Sequence, residues 1–180
     1  MSAPTSTIET NPRGIPRAPF IENVLEYVAG SSAEETLSKF DEMIKKYKFM
    51  EQNVRQRQQS LLSKLPEIKA TYAMVQTLIA QNDLGEPIET DFELNDTLYA
   101  KAVIESAPSV SIWLGANVMV EYPIAEAAEL LSTKRQQATL SLEQCDEDLE
   151  FLREQITTME VNLARVYNWD VKQRKQKPTA

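Results

Sequence analysis

SVSIWLGANVMVEYP, residues 109–123, is the stretch whose reading decides the fold. Val110, Ile112 and Leu114 fall on one side of a two-residue repeat with Trp113 on the other, and Val118, Val120 and Tyr122 resume the repeat after Gly115-Ala116-Asn117. A period of two is the side-chain period of a β-strand. Gly and Asn accept the positive φ of a tight reversal. The stretch therefore predicts a β-hairpin.

Working upstream, DFEL (91–94) and TLYAKAVI (97–104) repeat the pattern around Asn95-Asp96, and ESAPS (105–109) separates the two pairs. Two β-hairpins are expected over 90–122. Such short strands cannot bury both faces, and their edges carry unpaired backbone groups. Leu98, Tyr99, Val110, Ile112, Trp113, Leu114, Val118, Val120 and Tyr122 are the candidate assembly residues, and self-association is the expected way to cover them. The competing arrangement is a small sheet folded back on its own helices.

On either side of the hairpins the period changes to seven. Leu37, Ile44, Glu51, Gln58, Leu65, Tyr72 and Ile79 alternate with Phe40, Tyr47, Val54, Leu61, Ile68 and Val75, the a and d positions of a coiled-coil seam. Ser32 and Glu35 have capping-box spacing, so a first helix is expected over 32–82, kinked but unbroken at Pro66. After Pro123, d positions Ile124, Leu131, Ala138, Cys145, Leu152, Met159 and Val166 and a positions Ala128, Arg135, Leu142, Leu149, Ile156 and Leu163 define a second helix over 123–173. Only Arg135 interrupts that seam. The fold class is mainly α with a small β insert: a long antiparallel coiled-coil hairpin carrying two β-hairpins. An N-terminal tail (1–31) with a short apolar helix near 20–28, and a basic tail (174–180), complete the chain.

Composition removes most other classes. Among 180 residues there is no histidine and one cysteine, which excludes a Ser-His-Asp triad, a His-ligated zinc and a CxxC pair. The carboxylates Asp146, Glu147, Asp148 and Glu150 read as the wet face of a helix, so no enzyme activity is expected. None of the four glycines sits in a phosphate-cradling motif, and no cofactor or metal is expected. A net charge of −8 argues against nucleic acid. The opening MSAPTSTIETNPRGIPRAP has no apolar run, so neither a signal peptide nor a membrane anchor is expected, and the cytoplasm or nucleus is the anticipated location. Cys145, at a d position, is expected to be a buried small hydrophobe.

The order coiled coil, LNDTLYAKAVI (94–104), SVSIWLGANVMVEY (109–122), coiled coil resembles the α-class subunits of prefoldin, which carry two β-hairpins rather than one. KYKFMEQN (46–53), LPEIK (65–69) and ARVYNWDVKQR (164–174) narrow the resemblance to one eukaryotic branch. It implies a heterohexamer of two α-class and four β-class subunits, whose hairpins form a shared β-barrel body from which the coiled coils project. It further implies an ATP-independent cochaperone that captures unfolded actin and tubulin near the free ends of its coiled coils and passes them to the cytosolic chaperonin.

On that resemblance the candidate client-binding residues are Leu37, Phe40, Met43, Ile44, Tyr47, Phe49, Met50, Leu163, Val166, Tyr167 and Trp169. Leu37, Phe40, Ile44, Tyr47, Leu163 and Val166 are seam positions, whose ordinary role is core. Met43, Phe49, Met50, Phe151, Tyr167 and Trp169 lie outside the seam and form a candidate sticky patch. FIENVLEYV (20–28) is too apolar and too short to stand alone as a helix, so docking over part of that patch is expected. The rival to the chaperone reading is a structural or adaptor coiled coil, for which no such patch is needed.

Overall fold

The computed structural model describes residues 9–28 and 32–176. Its elements are α1 (Val24–Val28), α2 (Ala33–Leu84), β1 (Ile88–Asn95), β2 (Leu98–Ile104), β3 (Ser109–Gly115), β4 (Val118–Pro123) and α3 (Ile124–Gln176). Ser32 caps α2 by accepting the Glu35 N–H at 3.1 Å. α2 runs without a break through Pro66, whose missing N–H leaves one carbonyl of the preceding turn without its helical partner. The expected short helix near 20–28 occupies only 24–28. Its start is fixed by Asn23, whose side chain accepts the Leu25 N–H.

The chain divides into two compact units. The first, here the strap unit, joins the N-terminal segment and the first half of α2 (to Gln59) to the second half of α3 (from Glu143). Here the helices run antiparallel, because partners on α2 rise as those on α3 fall: Glu34 meets Arg174 at 2.9 Å, Lys48 meets Glu160 at 2.9 Å, and Gln58 meets Asp146. The core takes Phe40, Ile44 and Tyr47 from α2 and Leu152, Ile156, Met159 and Val166 from α3. Ile15, Ala18, Ile21 and Val28 of the N-terminal segment join the same cluster. Cys145 is buried in the seam as expected, and desolvation pushes its thiol pKa up.

The second, the hairpin unit, spans residues 60–142. β1 pairs antiparallel with β2 and β3 with β4, in two separate two-stranded sheets. Ala116 and Asn117 both have positive φ (48° and 60°), the requirement of a type I′ reversal between right-twisted strands. Gly85 ends α2 at φ 68°, where its lack of a Cβ removes the left-handed penalty. Asn82 then fixes the connection between the hairpins, donating to the Ala107 carbonyl at 2.8 Å and accepting the Ala107 N–H at 3.1 Å. The core here is small: Val75, Ala127 and Leu131, flanked by Tyr72, Ile79, Ile124 and Ala128. Among the described residues no a or d position of either helix is exposed.

Candidate functional site

The hairpins present two unlike surfaces. On β3 and β4, Val110, Ile112 and Tyr122 pack onto the small core of their own unit, and Val120 is half-buried. The opposite face carries Trp113, 60% exposed, paired across the hairpin with the exposed Met119, and at the turn end Leu114 and Val118 are also open. On β1 and β2, Phe92, Leu94, Leu98, Tyr99, Val103 and Ile104 are all exposed. The nine candidate assembly residues therefore split: Val110, Ile112 and Tyr122 serve the chain's own core, Val120 is half-buried, and Leu98, Tyr99, Trp113, Leu114 and Val118 are exposed. The fold-back and the open face are both present, one on each side of the same strands.

The strap unit is built differently. Residues 9–17 close a turn on themselves: the Asn11 N–H donates to the Ile15 carbonyl at 2.9 Å and the Arg17 N–H to that of Glu9 at 2.8 Å, with Gly14 at φ 84°. Asn11 Oδ1 accepts the N–H of Ile15 at 2.7 Å. From Ala18 onward the segment lies extended along α3, and we refer to residues 9–23 as the strap. Ile15, Ala18 and Ile21, three residues apart, point into the core. With Pro16 and Pro19 between them, that spacing matches the three-residue turn of a polyproline II segment.

Three buried polar residues of α3 receive the strap, and they are seven apart. Asp148 accepts from Asn11 Nδ2 at 2.7 Å and from Arg13 Nε at 2.6 Å, and Arg13 also reaches Glu147 at 2.8 Å. These carboxylates, Asp148 first, hold the Arg13 guanidinium more firmly in its charged form. Gln155 accepts the Ala18 N–H at 2.9 Å. Asn162, 0% exposed, accepts the Ile21 N–H at 3.3 Å and donates to the Pro19 carbonyl at 2.6 Å. Two further groups finish the accounting: Tyr47 Oη donates to the Pro16 carbonyl at 3.0 Å and Arg165 to the Glu22 carbonyl at 3.1 Å. The need of Ile21 for Asn162 explains why Phe20 and Ile21 lie outside the helix.

The candidate client-binding residues divide accordingly. Phe40, Ile44, Tyr47 and Val166 are buried, with Phe40 in ring contact with Tyr27 at 5.7 Å. Leu37, Met43, Met50, Leu163 and Trp169 are half-buried against the same core, as is Phe151. Phe49, 64% exposed, and Tyr167 remain in the open. Beside the strap, Pro16, Pro19, Tyr27, Met43, Tyr47 and Met50 line an open, mostly apolar groove of about 610 Å³.

Two expectations are corrected here. Asp148 is not on a wet face; it is buried under the strap and paired with Arg13. Covering by the N-terminal segment was anticipated over part of the outer patch, from a helix at 20–28. Ile21, Val24 and Val28 of that stretch do pack on the core, but Ile15 and Ala18, upstream of it, cover the seam with them. Sequence reasoning missed Asp148, Gln155 and Asn162, although their seven-residue spacing beside the seam was a readable signal. Among the described residues no cluster suited to a metal ion is present, and no helix is long and apolar enough to cross a membrane.

Comparison with known proteins bears on this arrangement. The Prefoldin subunit family matches residues 47–169. A prefoldin subunit 3 of Elsinoe fawcettii is 57% identical over 175 residues, covering 97% of this chain and 89% of its own. Prefoldin subunit 3 of Saccharomyces cerevisiae is 46% identical over 179 residues, covering 94% and 90%. That of Homo sapiens is 46% identical over 164 residues, covering 89% and 83%. In fold, the chain resembles the filamentous PFD of Methanocaldococcus jannaschii solved by cryo-EM, with a TM-score of 0.51, 15% identity, and coverage of 68% of this chain and 98% of the other.

Proposed function

Since the chain belongs to the prefoldin family, in its subunit 3 branch, we propose that it works as one α-class subunit of a heterohexameric cochaperone. Two α-class and four β-class subunits join their hairpins into a β-barrel body. The coiled-coil ends hold unfolded actin and tubulin without ATP and pass them to the cytosolic chaperonin, in the cytoplasm and also the nucleus.

The observation that carries this reading is the outward face of the hairpins. Phe92, Leu94, Leu98, Tyr99, Val103, Ile104 and Trp113 stand exposed on two separate two-stranded sheets with free edges. A two-stranded sheet is marginal alone, and an open edge invites pairing. Strands from neighbouring subunits supply both the missing ladder and the missing apolar cover. The acidic balance of the chain, at −8, suits a body that has no need of nucleic acid.

The test is to purify the tagged chain from its own cells, measure the native mass of what comes with it, and assay that material for suppression of actin and tubulin aggregation without nucleotide. A hexamer of small coiled-coil subunits that keeps both clients soluble is the expected result. A lone homo-oligomer without effect on unfolded protein overturns the reading in favour of a structural or adaptor coiled coil.

A further inference from the structure

We propose that the strap occupies a peptide-binding groove that reads main chain rather than side chains, and that an unfolded client displaces the strap and takes over the same hydrogen bonds. The inference rests on the chaperone reading above and specifies how its client is held.

The hydrogen bonds that hold the strap from Pro16 to Glu22 end on its backbone atoms, and Arg165 in addition lies over the Phe20 ring, 5.7 Å from its centre. Gln155 takes the Ala18 N–H, Asn162 takes the Ile21 N–H and the Pro19 carbonyl, and Arg165 takes the Glu22 carbonyl. Tyr47 takes the Pro16 carbonyl from the other helix. Backbone groups are common to every polypeptide, so these contacts discriminate by conformation and not by sequence. What enters must be extended.

Spacing supports this. Gln155 and Asn162 are one heptad apart, about 10.5 Å along a helix. Ala18 and Ile21 are three residues apart, about 9 to 10 Å in an extended or polyproline II chain. An unfolded segment therefore meets both carboxamides in register, with a side chain of modest size falling between the helices every third residue, as Ile15, Ala18 and Ile21 do. Polyproline II is also a major conformer of unfolded chains, so the groove selects a shape already present in its client. The open channel lined by Met43, Met50 and Tyr27 lies alongside and gives an incoming chain a first apolar footing while the strap is still seated.

The strap adds side-chain anchors that a general client lacks. Asn11 and Arg13 both bond to Asp148. These specific contacts set how tightly the groove is closed in the absence of client, and a client must compete against them.

The experiment uses the complex assembled with its partner subunits and, as probe, a reduced and carboxymethylated globular protein that cannot fold, labelled with a fluorophore. Binding is followed by fluorescence anisotropy, and the exchange of the Ala18 and Ile21 amides by mass spectrometry. With probe bound, exchange at these two amides rises by about tenfold or more, as expected for backbone released from buried acceptors. Arg13→Ala, which removes a strap anchor and leaves the groove intact, tightens probe binding by roughly threefold to tenfold. Asn162→Leu, which removes a groove contact, weakens it although it also loosens the strap.

Probe bound with both amides still protected overturns the proposal and leaves the chaperone reading standing. Tighter binding by Asn162→Leu overturns main-chain reading by showing the strap to be a plug over a merely apolar surface. No probe binding by a complex that still keeps unfolded actin soluble overturns this inference alone, and loss of both activities removes the chaperone reading with it. Should Asn162→Leu fail to fold, Arg13→Ala with unchanged probe affinity is sufficient to refute displacement.

Discussion

The strap unit and the hairpin unit face the same physical problem with opposite outcomes. Each joins helix segments whose a and d positions turn inward, and each has more apolar surface than two helices can cover. In the strap unit the chain covers the surplus itself, and the strap's extended backbone finds side-chain partners in Gln155, Asn162, Tyr47 and Arg165. In the hairpin unit one face of β3 and β4 is covered from within and the rest, from Phe92 to Trp113, is left open. One unit is closed by its own sequence, whereas the other leaves an apolar face uncovered. The contrast teaches that the buried fraction of an apolar residue marks where a chain expects company.

That contrast is broken most severely by removing its deepest aromatic. Phe40→Ala should cost about 3–5 kcal/mol, since Phe40 is 1% exposed and a full ring leaves the core. Chemical denaturation followed by the loss of tertiary circular dichroism would measure it. Trp113→Ser, at a residue of similar size, should change the lone chain's stability by under about 0.5 kcal/mol while preventing co-purification of partner subunits. Equal losses of stability for both variants would erase the distinction between the units.

A smaller effect tests the strap. Tyr47→Phe keeps the ring and deletes the hydrogen bond to Pro16, at an expected cost of about 1 kcal/mol in the same denaturation experiment. The same group gives a pH signature. Burial pushes the Tyr47 phenol above its ordinary value of 10.0, so its contribution is present below that pH and is lost as the pH rises through the higher folded value. Amide protection of the strap should therefore decline on the alkaline side of about pH 10 in the wild type, and this component should be absent in Tyr47→Phe.

The smallest effect sharpens the hairpin side. Ala116 holds a left-handed conformation that asparagine tolerates better, so Ala116→Asn should stabilise the β3–β4 hairpin by about 0.5 kcal/mol. A rise in the melting temperature of the assembled complex would register it. Cys145, buried with its thiol pushed away from ionisation, should resist iodoacetamide until the strap unit unfolds, and alkylation under native conditions would contradict the seam as described.

What could be read from sequence followed periodicity. The seam from Leu37 to Ile79 repeats every seven residues and the hairpins every two, and both repeats survive in the folded chain because burial enforces them. The strap has neither period. Its three-residue spacing of Ile15, Ala18 and Ile21, broken by prolines, resembles ordinary loop sequence unless it is set against a helix with matching polar positions. Asp148, Gln155 and Asn162 were hidden for the complementary reason: polar residues next to a seam normally face water, and only the strap's arrival makes them interior. The outward faces of Trp113 and Leu98 were legible, since alternation says which residues share a side. Which side the chain would cover for itself depended on Val75, far away in sequence on α2, meeting Ala127 and Leu131 at the start of α3.

Arg135, the one residue that interrupts the α3 seam, has a further consequence. A heptad repeat is degenerate: sliding one helix by seven residues restores the same apolar pattern, so apolar packing alone does not choose among the shifts. Arg135 places its guanidinium 4.6 Å from the centre of the Tyr72 ring. One heptad away in either direction it would meet Leu65 or Ile79, neither of which offers an aromatic face to a cation. The apparent flaw lifts the degeneracy, selecting a single alignment of the helices in the hairpin unit much as one mismatched tooth lets a zip close in only one way.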